Sequence, residues 1–236
     1  MSYLFDGVDD QVNFTPITTG DARSMLAWIL PNTQGEGDEG RILSHGTGDK
    51  AARAHWGWNA TAASKKIKFE SNRATDGFWE MTTGFTTLAE WHGLVLTYDG
   101  TSTSNDPILY TLDSQGFQTL TVGSGLTEGA APSGTEGADG VVLYAGNSST
   151  TGRTFDGLIG EFAIWASKLL SADEAKAVLY NGAMTIPGMY LYWPFDSQTV
   201  GGSTGAPDYS GNGWSGAIVG ATLGANPPIR PAGRRG

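Results

Sequence analysis

Short runs of β-branched, aromatic and other apolar residues recur along the whole chain, and Gly, Asp, Asn, Ser or Pro separate them. Such runs are typical of β-strands joined by turns. In KIKFE, Ile67 and Phe69 alternate with polar residues, whereas LIGEFAIW at 158–165 is mostly apolar. Alternation predicts a strand with one wet face, and a continuous run predicts an inner strand. The predicted strands are 3–5, 11–14, 24–30, 41–45, 55–59, 66–70, 78–82, 91–98, 108–113, 141–145, 158–165 and 190–195.

One segment, SADEAKAVLYNG at 171–182, has the pattern of a helix. Ser171 is placed to cap the first turn, and Glu174, three residues on, completes a capping box. Gly182 stands where a helix stops, and Val178 and Leu179 supply a buried stripe. The whole pattern therefore predicts an all-β protein with a single short helix packed on a sandwich.

Two stretches have the composition of loops, Thr33–Gly40 and Gly123–Gly140. The second has 18 residues and is rich in Gly, Ala, Ser and Thr. Loops longer than about 12–15 residues are commonly functional or disordered. We therefore expect Gly123–Gly140 to form a contact surface.

Composition narrows the classes of function. The chain has 236 residues, 35 of them Gly, and a formal net charge of −10, which opposes binding to a phosphate backbone. It contains no Cys, so thiolate zinc sites and disulfides are excluded. The N-terminal sequence lacks a signal-peptide pattern, and no run of about 18 apolar residues occurs. We expect neither nucleic-acid binding, nor membrane insertion, nor classical export.

The C-terminal sequence GANPPIRPAGRRG differs from the rest because it is rich in Pro, Gly and Arg and has no periodicity. The predicted organisation is a β-sandwich at 1–223 followed by a basic arm at 224–236. Three cations of this arm, Arg230, Arg234 and Arg235, stand on an otherwise acidic chain. This charge asymmetry predicts docking of the arm against an acidic protein surface.

Four pieces, in this order, resemble the laminin-G-like branch of the concanavalin A-like lectin/glucanase superfamily. They are YLFDGVDDQVNF at 3–14, WHGLVLTYDG at 91–100, FDGLIGEFAIWASKLLSADEAKAVLYNG at 155–182, and YLYWPFD with DYSGNGWSGAIVGAT at 190–222. The resemblance implies two antiparallel sheets in a jelly-roll sandwich. The last piece follows the helix, an order similar to that of standalone members encoded by bacteriophages and bacteria. The C-terminal strand is then expected beside the N-terminal one.

Calcium is the candidate metal, since hard cations use clustered carboxylate and carbonyl oxygens from turns. The chain offers Asp6, Asp9 and Asp10 in FDGVDD, and Asp208 and Asn212 in DYSGNG. Members of the resembled family often bind calcium. The alternative is that these residues form turns beside glycines through side-chain to backbone hydrogen bonds.

Sugar binding would use flat aromatic faces beside polar groups. Trp56, Trp58 and Trp79 border predicted loops and are the candidates, and Trp56 and Trp58 share one face of a strand. Packing between the sheets is the alternative role for all three. The tryptophans predicted to lie in the core are Trp28, Trp91, Trp165 and Trp193.

No catalytic signature accompanies these candidates. The Glu-x-Asp-x-x-Glu pattern that places two glycosidase carboxylates on one strand face is absent. His45, His55 and His92 show neither HExxH nor HxH spacing, so zinc has little support. A fold of this type is found in enzymes, lectins and structural modules. The function therefore has to be inferred from the candidate site residues and not from the fold.

The sequence supports three hypotheses about function. The main one is a non-catalytic structural or decoration protein of a large assembly, a bacteriophage capsid or tail component located in the virion, with neighbouring subunits and cell-surface glycans as partners. The alternatives are a calcium-dependent carbohydrate-binding module and, less favoured, a glycoside hydrolase. Cytoplasmic location, or extracellular location by a non-classical route, is the alternative to the virion.

Overall fold

A computed structural model describes residues 2–46, 53–61, 63–147, 152–195, 199–200 and 203–225. The strands are β1 Ser2–Asp6, β2 Gln11–Ile17, β3 Ala22–Pro31, β4 Arg41–His45, β5 Ala54–Trp58, β6 Ile67–Ser71, β7 Gly77–Met81, β8 His92–Asp99, β9 Ile108–Asp113, β10 Gly116–Val122, β11 Gly125–Ala130, β12 Val141–Ala145, β13 Asp156–Ala166, β14 Leu191–Trp193, β15 Thr199–Val200, β16 Ser203–Thr204, β17 Gly216–Val219 and β18 Thr222–Gly224. The helix α1 is Ala172–Asn181, and two short 3-10 helices are Glu36–Asp38 and Ala183–Thr185.

All of these strands except β15 and β16, which pair with each other, form two stacked layers. The front sheet has the strand order β17-β2-β12-β4-β5-β6-β7-β11, and the back sheet has the order β10-β9-β8-β3-β13-β1-β18, with β14 also paired to β13. Neighbours within each layer run antiparallel, and a short parallel pairing of β10 with β11 joins the layers at one edge. This is the predicted two-sheet antiparallel jelly-roll sandwich.

The predicted closure by the C-terminal strands is confirmed. β18 pairs with β1, with Ser2 opposite Gly224, and β17 pairs with β2. Gly224 is the first residue of the predicted arm and here belongs to a strand. Arg230, Arg234 and Arg235 lie outside the described residues, so their role in assembly stays a prediction.

The helix is confirmed with its caps. The Ser171 side chain accepts a hydrogen bond from the Glu174 backbone N–H, and the Glu174 carboxylate accepts one from the Ser171 N–H. Val178 and Leu179 are buried against the outer face of the back sheet, where they join a second core with Trp28. Within the described ranges, no helix is long and apolar enough to cross a membrane.

The prediction of a continuous loop at Gly123–Gly140 is wrong, because the segment contains β11. That strand pairs with β7, with Leu126 opposite Met81. The glycines of β11 give it the composition of a loop, which is why the sequence did not predict a strand. They are needed for the pairing, because a Cβ at Gly129 would collide with the Phe78 ring of β7.

The rest of this segment is held by a buried carboxylate. The Glu136 side chain is about 1% exposed and binds Arg23 through two hydrogen bonds of 2.8 and 2.6 Å. It also accepts a hydrogen bond from Ser71 Oγ at 2.8 Å and lies 3.1 Å from Arg53 Nη2. Bidentate guanidinium pairing of this kind is among the stronger side-chain contacts. Glu136 therefore fixes the chain after β11 to both sheets.

Candidate functional site

A cavity of about 420 Å³ lies on the outer face of the front sheet across β4 to β7. His55 of β5 is opposite Glu70 of β6, and Glu70 is opposite Phe78 of β7. Residues in register point to the same side of a sheet, so these side chains form a row on the outer face. The alternate residues Trp56 and Phe69 point into the core. We call this cavity the front groove.

The charged groups that line the front groove are balanced. Lys68 Nζ lies 2.7 Å from Glu70, and Arg153 Nη2 lies 2.6 Å from Glu39. The lining therefore carries no net formal charge, although its density of charged groups is high. The three cations and three carboxylates are Arg41, Lys68, Arg153, Glu39, Glu70 and Asp76.

His55 is the neutral member of this set. Burial lowers its pKa well below the usual value, and the positive charges of Arg41 and Lys68 lower it further. The ring is therefore uncharged at neutral pH, and its Nε2 lies 3.5 Å from Glu70. Its Nδ1 is buried and has no hydrogen-bond partner within the described residues. A neutral imidazole nitrogen is a donor or an acceptor according to the tautomer.

Further unpaired polar atoms continue the same row across the sheet. Ser44 is opposite His55 on one side and Tyr144 on the other, and Tyr144 is opposite Asn13. Ser44 Oγ and Asn13 Oδ1 are also buried with no partner in the described parts of the chain. Most buried polar atoms in proteins are hydrogen-bonded, so three unpaired atoms in one row are unusual.

The three tryptophans chosen from the sequence are buried. Trp56, Trp58 and Trp79 are 0%, 3% and 1% exposed, and all belong to the core between the sheets. Trp79 Nε1 donates a hydrogen bond to Asp106. Trp58 also borders the front groove. None of the three offers a flat aromatic face to solvent.

Sequence reasoning missed the outward-facing residues of the same strands. The sequence KIKFE contains one signal for them, since Lys68 and Glu70 alternate with Ile67 and Phe69. This alternation shows that the polar and the apolar residues lie on opposite faces of the strand. It does not show that the polar face forms a groove, because residues 39 and 153 supply the walls.

The first calcium candidates do come together. The carboxylate oxygens of Asp6, Asp9 and Asp10 lie within 4.8 Å of one another. Asp10 Oδ2 accepts the Asp6 backbone N–H at 2.8 Å, and Asp6 Oδ1 accepts the Val8 N–H at 2.9 Å. Burial raises the pKa of Asp10, and the charges of Asp6 and Asp9 raise it further. The cluster thus combines turn bonds with mutual repulsion that a cation would relieve.

The second calcium pair has a turn role. Asp208 accepts hydrogen bonds from the backbone N–H groups of Tyr192, Ser210 and Trp214 at 3.0, 2.9 and 2.9 Å. Asn212 Nδ2 donates to the Tyr190 carbonyl at 2.9 Å. Asp208 is not part of the carboxylate group around Asp10. These bonds match the alternative role for Asp and Asn beside glycines.

Calcium binding at Asp6, Asp9 and Asp10 stays a prediction, and thermal melting tests it. Calcium at about 100 times its dissociation constant should raise the melting temperature by about 5 °C or more. A chelator should reverse the shift. Asp9→Asn should abolish the response, whereas Asp173→Asn on the helix should retain it. A melting temperature that calcium leaves unchanged would remove the site.

Comparisons with known proteins support the fold class. No protein-family model and no curated protein matches the chain. Among solved structures, it is similar to a "putative carbohydrate binding protein" from Bacteroides ovatus, with a TM-score of 0.64, 16% identity, and coverage of 97% of this chain and 61% of that one. It is also similar to a heptameric SAP-like pentraxin from Limulus polyphemus, with a TM-score of 0.61, 11% identity, and coverage of 95% and 94%.

These similarities define a class of fold. The chain is a two-sheet jelly-roll sandwich, the fold that it shares with these two structures. Membership of the concanavalin A-like superfamily stays a prediction. The chain spans about 61% of the length of the Bacteroides protein. Membership of the laminin-G-like branch, and the connection to bacteriophages, stay predictions.

Proposed function

We propose that this protein is a non-catalytic carbohydrate-binding module and that the front groove holds an uncharged glycan. The observation that carries the proposal is the polar row on the outer sheet face, in which His55 lines the cavity and its buried Nδ1 has no partner among the described residues. Leaving a buried polar group unpaired costs about 1–3 kcal/mol. A ligand hydroxyl in the groove would supply the missing hydrogen bond.

The groove's chemistry suits sugar hydroxyls. A hydroxyl both donates and accepts, and here cationic donors stand beside carboxylate acceptors at the Lys68–Glu70 pair. Hydrogen bonds to charged groups contribute about 1.5–3 kcal/mol, more than those between neutral groups. The volume of about 420 Å³ is within the usual range for small-ligand sites.

The balance of charge favours an uncharged glycan over an acidic one. Lys68 is already neutralised by Glu70, and Arg153 is neutralised by Glu39. An acidic sugar bound at either of these two cations would have to displace the carboxylate that is paired with it. A neutral sugar hydroxyl can donate to a carboxylate oxygen, or accept from a cation, while the two charged groups stay paired with each other.

The same pairing supports a non-catalytic role. A glycosidase needs one carboxyl group that is protonated and free to donate its proton to the leaving oxygen. Glu70 and Glu39 are each paired with a cation, at 2.7 and 2.6 Å, so neither carboxyl group is free to approach a leaving oxygen. Assay of reducing-sugar release from a polysaccharide panel tests this part, and turnover would contradict it.

The similar solved structures add support of a limited kind. The Bacteroides protein is itself described as a "putative carbohydrate binding protein". Only the fold is shared at 16% identity, and function depends on the site. The assembly role predicted from the sequence stays a prediction.

Binding measurements with two groove variants test the proposal. A glycan array should identify neutral glycans that bind the wild-type protein, and calorimetry should then show at least tenfold weaker binding for Lys68→Met and about twofold to tenfold weaker binding for His55→Leu. A lost hydrogen bond to the charged Lys68 costs about 1.5–3 kcal/mol and one to the neutral His55 ring costs about 0.5–1.5 kcal/mol, which correspond to changes of these sizes. Because His55 Nδ1 is unpaired in the free protein, His55→Leu should not lower the free energy of unfolding.

Lys176→Met is the matched control, since Lys176 lies on α1, on the opposite side of the sandwich. It should bind the glycan like wild type. An array without neutral-glycan binding, or affinities that both groove variants leave unchanged, would overturn the proposed function.

A further inference from the structure

A second, larger cavity lies on the opposite side of the molecule. It has a volume of about 590 Å³ and sits on the outer face of the back sheet, beside the C-terminal end of α1. Its aromatic lining consists of Trp28, Trp91 and Tyr180. Trp91, which the sequence predicted to be a core residue, is only half-buried. We call this cavity the back cavity.

The aromatic rings are held apart around the cavity. Trp28 is 3% exposed and packs over Gly93, where a Cβ would lie 2.6 Å from its ring. Tyr180 is 45% exposed on the helix. None of these three rings contacts another among the described ring pairs. Three aromatic residues therefore border a space of ligand size, and Tyr180 is the most exposed of them.

Two carboxylates, Glu90 and Asp113, border the same space. Asp113 Oδ1 accepts the Gln115 backbone N–H at 2.8 Å, whereas Oδ2 lies 3.7 Å from His92 Nδ1, beyond hydrogen-bond distance. Burial lowers the pKa of His92, so this ring is uncharged at neutral pH. The cavity lining includes no Lys or Arg, and neither carboxylate forms an ion pair with one in the described residues.

The back cavity differs from the front groove because its lining has two carboxylates and no cation to balance them. A neutral ligand that filled the back cavity would remove water from two carboxylates without replacing it, which is unfavourable. A cation compensates both carboxylates, and aromatic faces attract cations through their quadrupoles. Apolar groups on the cation would also bury against Trp28, Leu30 and Leu112.

We propose that the back cavity binds a small organic cation that carries alkyl groups on or beside its ammonium nitrogen. The aromatic rings contact the alkyl groups and the cationic charge, while Asp113 and Glu90 balance that charge from the rim. This site is independent of the glycan groove on the other sheet.

A charged probe and its neutral isostere test the charge requirement. Choline and 3,3-dimethylbutan-1-ol have the same shape, but only choline is charged. Titration followed by tryptophan fluorescence and calorimetry should show choline binding at least tenfold tighter than the alcohol. Equal affinity for the two probes, tighter binding of the alcohol, or no choline binding would overturn the proposal.

Variants then locate the site. Asp113→Asn should weaken choline binding at least fivefold, and Tyr180→Ala should weaken it too; because Tyr180 is exposed, its replacement leaves the core intact. Asp173→Asn, on the exposed first turn of α1, is the matched control and should bind like wild type. Choline affinity unchanged in both Asp113→Asn and Tyr180→Ala would overturn the proposal. Lys68→Met should leave choline binding unaltered, which separates this result from failure of the glycan groove.

Discussion

Glu136→Ala should lower the free energy of unfolding by about 3–5 kcal/mol, the usual cost of removing one partner from a buried ion pair. The variant would leave Arg23 and Arg53, which are 1% and 3% exposed, without their shared buried carboxylate. Small domains are stable by only about 5–15 kcal/mol, so this loss is a large part of the total. Urea denaturation monitored by tryptophan fluorescence measures it.

Two further variants define the cause. Glu128→Ala removes an exposed carboxylate from neighbouring β11 and should change stability by less than about 0.5 kcal/mol. Glu136→Gln keeps hydrogen-bonding atoms but loses the charge, so its effect should be smaller than that of Glu136→Ala. A loss below about 1 kcal/mol for Glu136→Ala would show that the buried network does not stabilise the fold.

Acidification from pH 7 to pH 5 should destabilise the protein, with His45 alone contributing about 2 kcal/mol. Burial lowers the pKa of His45 to about 4, and the charge of Arg23 lowers it further. Because the folded pKa lies below the unfolded value, the unfolded state binds more protons between about pH 4 and 6.5. The free energy of unfolding is therefore not reduced by His45 above about pH 6.5, and it falls as the pH drops below that value. Burial acts in the same direction on His55 and His92.

Urea midpoints of wild type and His45→Gln at pH 7 and pH 5 check this prediction. His45 Nε2 lies 2.9 Å from the Ile17 carbonyl, and a glutamine amide can donate a similar bond without titrating. Between pH 7 and pH 5, the free energy of unfolding of His45→Gln should fall by about 2 kcal/mol less than that of wild type. Burial raises the pKa of Glu161, so this residue makes the protein more stable as the pH falls. Both proteins contain Glu161, so its effect cancels in the comparison. An identical pH dependence in the two proteins would contradict the assignment.

Much of the fold could be predicted because its signals are local. The capping box of Ser171 and Glu174 involves residues three apart, and Gly182 marks the stop of the same helix, so the helix was found with its ends. Most strands were found where β-branched and aromatic residues dominate, but β10, with the sequence GFQTLTV, was not predicted despite that composition. β11 was missed because Gly125 and Gly129 give it the composition of a loop, and its pairing with β7 is not a local property.

The binding sites were less predictable, since each depends on which face of a sheet becomes the interior. Alternation placed Trp56 and Trp58 on one face and His55 on the other, but burial of either face was consistent with that spacing. The structure buries the tryptophans. The polar face becomes a groove only because Glu39 and Arg153, more than a hundred residues apart, meet above it.

By itself, the sequence determined the class of fold, the single capped helix and the grouping of Asp6, Asp9 and Asp10, since each follows from composition, alternation or neighbours within a few residues. Only the tertiary structure decided that Glu136 is buried between two arginines, that His55 lies in a groove, and that Trp91 and Tyr180 enclose a cavity with Asp113. These arrangements join residues from distant strands, and the free energy of packing the two sheets and the helix selects them.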